Sequence, residues 1–262
     1  TTLFRSALQH LFIGGEGTLG LVTEAEIKLE RQPHNLQVMV LGTPDFEAVM
    51  PVLHAFQKEI DLTAFEFFGE VAMQKVLDRG HVQRPFETTC PFYVLLEFEA
   101  PYEPIMDKAM QIFEHCMEQG WVIDGVMSQS LEQAQSLWRL REDISESIAP
   151  YIPYKNDISV LITHVPAFIA EIDAIVADNY PDFEICWFGH IGDGNLHLNI
   201  LKPENLTKDE FFAKCQVVNK YVFVNKGNAP LIITNAEVAC SCTSVDYPKK
   251  PVLPGNTDTI VV

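Results

Sequence analysis

From residue 33 onward the apolar positions change period in a regular way. They alternate with polar ones in short runs and recur every three or four residues in longer ones. The short runs, residues 36–41, 64–68, 92–98, 121–127 and 159–163, predict strands. The longer runs, residues 46–58, 70–77, 102–119, 131–148 and 165–179, predict helices, and Gly120 stands where the third should end. Residues 79–89 and 151–157 read as loops and 31–34 as a linker. This repeated strand–helix–strand rhythm predicts an α+β fold, a ferredoxin-like antiparallel sheet with helices on one face.

One stretch, residues 189–199 (GHIGDGNLHLN), is organised around a turn signal. Asp193-Gly194 predicts a two-residue type I′ hairpin, in which both central residues take positive φ. Residues 185–188 before it read as a buried strand, and residues 195–200 after it alternate apolar with polar. That turn opposes Gly192 to Asn195, Ile191 to Leu196 and His190 to His197, and Asn199 follows on the same face. Two imidazoles and an amide then converge, and imidazole is a good ligand for a divalent transition metal. The alternative is a decorated hairpin with incidental histidines.

The helix predicted over 131–148 carries an apolar stripe of Leu137, Leu140, Ile144 and Ile148. Arg141 and Ser145, four apart, lie along its edge. A guanidinium so placed can take a carboxylate through paired hydrogen bonds, or form an ion pair with a neighbouring glutamate. Lys155, in the following loop, is a second cation.

Composition narrows the class. A chain of 262 residues, 47% hydrophobic, allows one large or two modest domains. Its 18 basic and 36 acidic residues leave a formal charge of −18, which argues against nucleic acid or an anionic membrane as partner and makes a buried basic residue conspicuous. With no long apolar run and no signal peptide at its start, the chain reads as cytoplasmic. Cys90, Cys116, Cys186 and Cys215 fall in apolar or helical stretches and read as buried free thiols. Cys240-Ser241-Cys242 is too short for an ordinary disulfide and lacks the two-residue gap of a zinc knuckle; buried structural thiols are the simpler reading, metal or redox residues the other.

The order of residues adds resemblance. TTLFRS, residues 1–6, resembles the translated end of a sequencing adapter, a non-native leader without fold information. LFIGGEGTLGLVTEAEIKL, residues 11–29, resembles the signature that closes the FAD-binding domain of vanillyl-alcohol-oxidase-type flavoproteins, followed by an alternating run over 21–29. The resemblance implies that Gly14, Gly15, Glu16, Gly17, Thr18 and Gly20 line the flavin, mainly through backbone; Gly15 stands where the family usually has Ser or Ala. LWRLREDISESI, YKNDIS and GHIGDGNLHLNI, in that order and spacing, resemble the substrate domain of FAD-linked D-2-hydroxyacid dehydrogenases, and the YKNDIS form leans towards those acting on D-2-hydroxyglutarate. It implies that Arg141, Ser145 (usually Thr in animal relatives), Lys155 and Asn199 bind the substrate. It further implies that His190 and His197 ligate a divalent metal, typically zinc, that polarises the 2-hydroxyl, and that electrons pass to a separate acceptor. Homo-oligomerisation is left open.

Two family features are not found where they are expected. The glycine-rich loop for the FAD pyrophosphate would precede residue 1, and the S-A-E-H-G segment, with a third metal ligand and the general-base histidine, would follow Phe223. No catalytic base is therefore assigned, and the chain reads as a fragment of such a dehydrogenase. A non-catalytic module that kept the cationic carboxylate pocket is the alternative. Residues 225–262 change character, with turn and β-branched residues and no helix signal. They resemble part of an immunoglobulin-like β-sandwich domain of unknown function, and the junction at Phe223–Val224 reads as a splice of two unrelated genes. The expected domains are 7–32, the tail of an FAD-binding domain; 33–223, the substrate domain; and 224–262, a short all-β fragment.

Overall fold

The computed structural model describes residues 12, 15, 17–27, 29, 31–218, 220–235 and 245–261. The chain divides after Pro33 into two units. The second opens with β1 (Leu36–Thr43), α1 (Val49–Gln57), β2 (Leu62–Gly69), α2 (Glu70–Leu77), β3 (Phe92–Glu99), α3 (Glu103–Glu118) and β4 (Asp124–Met127). It continues with α4 (Leu131–Glu142), α5 (Ile144–Ile148), β5 (Tyr154–Ser159), α6 (Val165–Asn179), β6 (Glu184–His190), β7 (Asn195–Leu201) and α7 (Lys208–Val218). The strands form one seven-stranded sheet in the order β4-β1-β3-β2-β6-β7-β5, and every pairing is antiparallel. Within it, β4-β1-β3-β2 with α1 and α3 is the ferredoxin-like half.

Side chains along each strand alternate between two buried layers. In β1, Met39 and Leu41 enter one core cluster while Val38 and Val40 enter the other. The first layer lies under α1, α3, α6 and α7, through residues such as Leu53, Phe56, Ile112, Ile169 and Phe211. The second lies under α2, α4 and α5, through Met73, Val76, Leu137, Leu140, Ile144 and Ile148. The expected α+β sheet is therefore present, and its one-faced arrangement is extended, because strands buried on both sides need cover on both sides. At about 1.5–3 kcal/mol for each fully buried aliphatic or aromatic side chain, both layers are major sources of stability.

Four predicted elements differ. The helix expected over 131–148 starts on Ser130, whose Oγ accepts from Gln133 N at 3.2 Å, but breaks at Asp143, a poor helix former at φ −77°, ψ −4°. The loop expected over 151–157 is mostly β5, which pairs along β7 from Tyr154–Ile200 to Ser159–Asn195. The strand expected over 159–163 is instead a turn of 3₁₀-helix, Ile162–His164, and the one expected over 121–127 begins only at Asp124. Where 21–29 alternates, the described residues form no strand, and Leu21 is 87% and Leu29 86% exposed.

After α7 the chain forms a separate two-stranded sheet, β8 (Lys220–Val224) with β9 (Thr257–Val261). Asn225, buried beside it, donates from Nδ2 to Ala229 O at 2.9 Å and to Val252 O at 2.7 Å, while its Oδ1 accepts from Gly227 N at 2.9 Å. None of the described residues 225–261 joins the main sheet or either core cluster. Cys240 and Cys242 lie outside the described residues. No helix among the described residues is long and apolar enough to cross a membrane.

Candidate functional site

The site stands on the sheet face that carries the second core layer, where β2, β6, β7 and β5 run side by side. Directly opposed residues share a face, and the pairings fix which ones. Glu66 of β2 faces His190 of β6; Phe188 of β6 faces His197 of β7; Cys186 faces Asn199. On the far side, Asp157 and Lys155 of β5 face His197 and Asn199. Arg141 at the end of α4 and Ser145 in α5 close the top. A cleft of about 360 Å³ opens here, lined by residues that include Arg141, Ser145, Lys155, His190, His197 and Asn199.

The hairpin that builds this face is not the predicted one. His190 pairs with Asn195 and Phe188 with His197, so the loop has four residues, Ile191 to Gly194. Only Gly194 has positive φ, at 76°, so the turn is not type I′. The loop is longer because Ile191 turns inward and is fully buried, and because Gly194 packs against the backbone of Val160, whose N–H donates to its carbonyl at 3.0 Å. The two histidines are thus diagonal rather than opposed. A slip of two residues preserves the face, and their ring centroids lie 5.4 Å apart at an interplanar angle of 79°.

Each imidazole is held from behind by a carboxylate. His190 Nδ1 lies 2.6 Å from Glu66 Oε1, and His197 Nδ1 hydrogen-bonds Asp157 Oδ1. An ionised carboxylate can only accept, so in a neutral imidazole these contacts favour the proton on Nδ1 and the lone pair on Nε2. Carboxylate-backed imidazoles are the usual form of histidine metal ligands. Asn195, opposed to His190, also has a buried Oδ1 without a hydrogen-bond partner. These donors fit two positions of a divalent cation; among the described residues no group of three His, Cys, Asp or Glu is arranged to hold one.

Arg141 is buried, with a side chain only 10% exposed. Its Nε donates to Glu66 Oε2 at 2.9 Å, and its guanidinium lies 4.8 Å over the Phe188 ring. Burial draws its pKa down, against the opposing pull of Glu66. Among the described residues it makes no other hydrogen bond, so both terminal nitrogens face the cleft without a described partner. The surface ion pair with a neighbouring glutamate on the helix is not what forms: Arg141 pairs instead with Glu66 of β2, inside the protein. Lys155 is exposed at the rim, on a strand rather than a loop, and makes no ion pair with a described residue. Asn199 is 2% exposed and donates to His197 O at 3.3 Å. Sequence reasoning missed Glu66 and Asp157; a lone acid inside Ala-Phe-Glu-Phe-Phe was the available signal for the first.

In the first unit, Thr18 Oγ1 and N both bond Gly15 O, at 2.6 and 2.8 Å, forming a tight turn. Gly17 and Gly20 take positive φ, 78° and 155°, which keeps this backbone bare of side chains. That suits backbone contact with a flat ligand. Gly14 and Glu16 lie outside the described residues.

The antiparallel sheet with its helices agrees with the family comparison. The family model described as FAD linked oxidases, C-terminal domain, matches residues 32–217, and the chain belongs to this family of flavoprotein oxidoreductases. The relatives are more particular. A protein named D-2-hydroxyglutarate dehydrogenase from Stutzerimonas stutzeri (strain A1501) is 64% identical over 242 residues, covering 92% of this chain and 52% of that one. One of the same name from Xanthomonas citri pv. viticola is 52% identical over 212 residues, covering 81% and 45%. The chain spans about half the length of these curated relatives. Among solved structures, an alkyldihydroxyacetonephosphate synthase matches with TM-score 0.52 at 16% identity, over 80% of this chain and 45% of that one, which shows the fold alone. A second model, Protein of unknown function (DUF1573), matches residues 204–262, so the two matches overlap on α7.

Proposed function

We propose that the chain supplies the substrate-binding part of an FAD-dependent dehydrogenase that oxidises D-2-hydroxyglutarate, or a close D-2-hydroxyacid, to the 2-oxo acid. The observation that carries this is Arg141. Its Nε is already held by Glu66, and its two free terminal nitrogens share a cleft with Lys155 and the paired imidazoles. Arg141 takes one carboxylate bidentately and Lys155 the other, which suits a dicarboxylate better than lactate. Ser145 and Asn199 add hydrogen bonds that fix C2. The Nε2 lone pairs of His190 and His197 are where a divalent metal such as zinc would be held, supplying a Lewis acid that favours loss of the 2-hydroxyl proton. Bound FAD would supply the hydride acceptor for C2, with a separate acceptor for the electrons. Gly14, Gly15, Glu16, Gly17, Thr18 and Gly20 are the residues that would line it. The buried free thiols Cys90, Cys116, Cys186 and Cys215 support a reducing, cytoplasmic setting.

The test is calorimetric titration of the chain with D-2-hydroxyglutarate and with D-lactate. D-2-hydroxyglutarate should bind more tightly. Arg141→Lys, which keeps the charge but loses the fork, should weaken it roughly tenfold to a hundredfold, about 1.4–2.8 kcal/mol. Equal affinity for the two acids, or no loss in the lysine variant, would sink the reading.

A further inference from the structure

One carboxylate serves two functional side chains of the cleft. Glu66 Oε2 accepts from Arg141 Nε at 2.9 Å and Glu66 Oε1 lies 2.6 Å from His190 Nδ1. Its side chain is 9% exposed, whereas Asp157, which backs the other histidine, is 77% exposed. Its carboxylate is largely buried, with one oxygen on each partner, so both partners depend on the same group. We propose that Glu66 is the positioning residue of the site. It fixes the Arg141 fork and sets the His190 tautomer, with the proton on Nδ1 and the Nε2 lone pair offered to the cleft. For its purpose this inference rests on reading the cleft as a 2-hydroxyacid site, but its chemistry does not.

The sharing makes a specific outcome unavoidable. In Glu66→Gln the side chain has a single acceptor oxygen. Arg141 always donates, so it keeps that oxygen as the stronger, charge-assisted partner. The amide NH₂ is then turned towards His190 Nδ1, which must accept, and the ring proton moves to Nε2. The nitrogen facing the cleft becomes a donor. Asp157→Asn imposes no such conflict, because Asp157 has no second functional donor to satisfy, and His197 should keep its tautomer.

The experiment is ¹⁵N NMR of the histidine ring nitrogens at a pH where the imidazoles are neutral, with zinc titrations of the same samples. In the unsubstituted chain both His190 and His197 should carry the proton on Nδ1. Glu66→Gln should invert His190 alone and weaken zinc binding tenfold or more. The double variant Glu66→Gln/Arg141→Met releases the amide oxygen and should return His190 to the Nδ1–H form, a rescue that a merely structural glutamate would not give. It also removes the buried charges together, so it remains testable if the single variant fails to fold. An Nδ1–H tautomer at His190 in Glu66→Gln, or an Nε2–H tautomer in the double variant, would overturn the proposal. Failure of D-2-hydroxyglutarate to bind the unsubstituted chain would overturn the functional reading and leave the tautomer result standing.

Discussion

Replacing Gly194 by alanine should unseat the histidine hairpin, and the size of the effect follows from two features of the turn. Gly194 sits at φ 76°, where an L side chain costs about 1–2 kcal/mol. A Cβ there would also stand inside van der Waals contact of the Val160 carbonyl oxygen, so backbone must move. That shift breaks the 3.0 Å bond from Val160 N to Gly194 O, about 1 kcal/mol more, before any overpacking against Ile162. A loss of about 3 kcal/mol lowers Tm by roughly 6–12 °C in a domain of this size. Gly192→Ala is the matched control, because open space surrounds it and its φ is not positive. It should change stability by no more than about 0.5 kcal/mol. Thermal unfolding followed by circular dichroism measures both. If Gly194→Ala melts within about 2 °C of the unsubstituted chain, or if Gly192→Ala is the more damaging, the four-residue loop described above is wrong.

Asp173 accepts a hydrogen bond from Trp187 Nε1 at 2.7 Å, yet burial pushes its carboxyl above the usual 3.8, with the tryptophan opposing. A raised native value means that its protonated form stabilises the fold below pH 3.8, and that this contribution is lost as pH rises through the native value. Asp173→Asn should therefore be more stable than the unsubstituted chain at pH 7, with the gap closing towards pH 4; denaturant midpoints across that range would show a constant gap if the reasoning fails. Burial pushes the thiols of Cys186 and Cys215 up to about 12 and that of Cys116 up to about 11. Peptide mapping after brief alkylation of the native protein at pH 8 should find all three unmodified, and rapid labelling of any one would contradict the burial assigned to it.

Much of this fold is legible in the order of residues, for reasons that differ by element. α2 and α6 fall on the residues the apolar spacing marks, because each presents one uninterrupted stripe. Pro153 and polar side chains mask β5 in the sequence, although its burial alternates as a half-covered strand should. α7 has only a weak apolar stripe, so its one local signal is a capping signature, Thr207 and Glu210 each bonding the other's backbone N–H. Arg141 and Ser145 reach the cleft together because their four-residue spacing survives the break at Asp143. The histidine register depends on where Ile191 packs and on the close approach of Val160, neither of which local spacing encodes. Glu66 lies far from every motif in the chain and becomes part of the site only when β2 pairs with β6.

The edge position of β5 gives the cleft two walls of different stiffness. Among the described strands, β6 and β7 are each paired on both sides, while β5 pairs with β7 alone and ends the sheet. Strands with a single neighbour open locally at lower free energy than those inside a sheet. Amide hydrogens of β5 should thus exchange with solvent before those of β6 and β7 around His190 and His197. A ligand spanning from Arg141 to Lys155 would tie the loose wall to the firm one. The ordering entropy of that closure is drawn from binding, so small monoacids that touch only the firm side would leave β5 breathing.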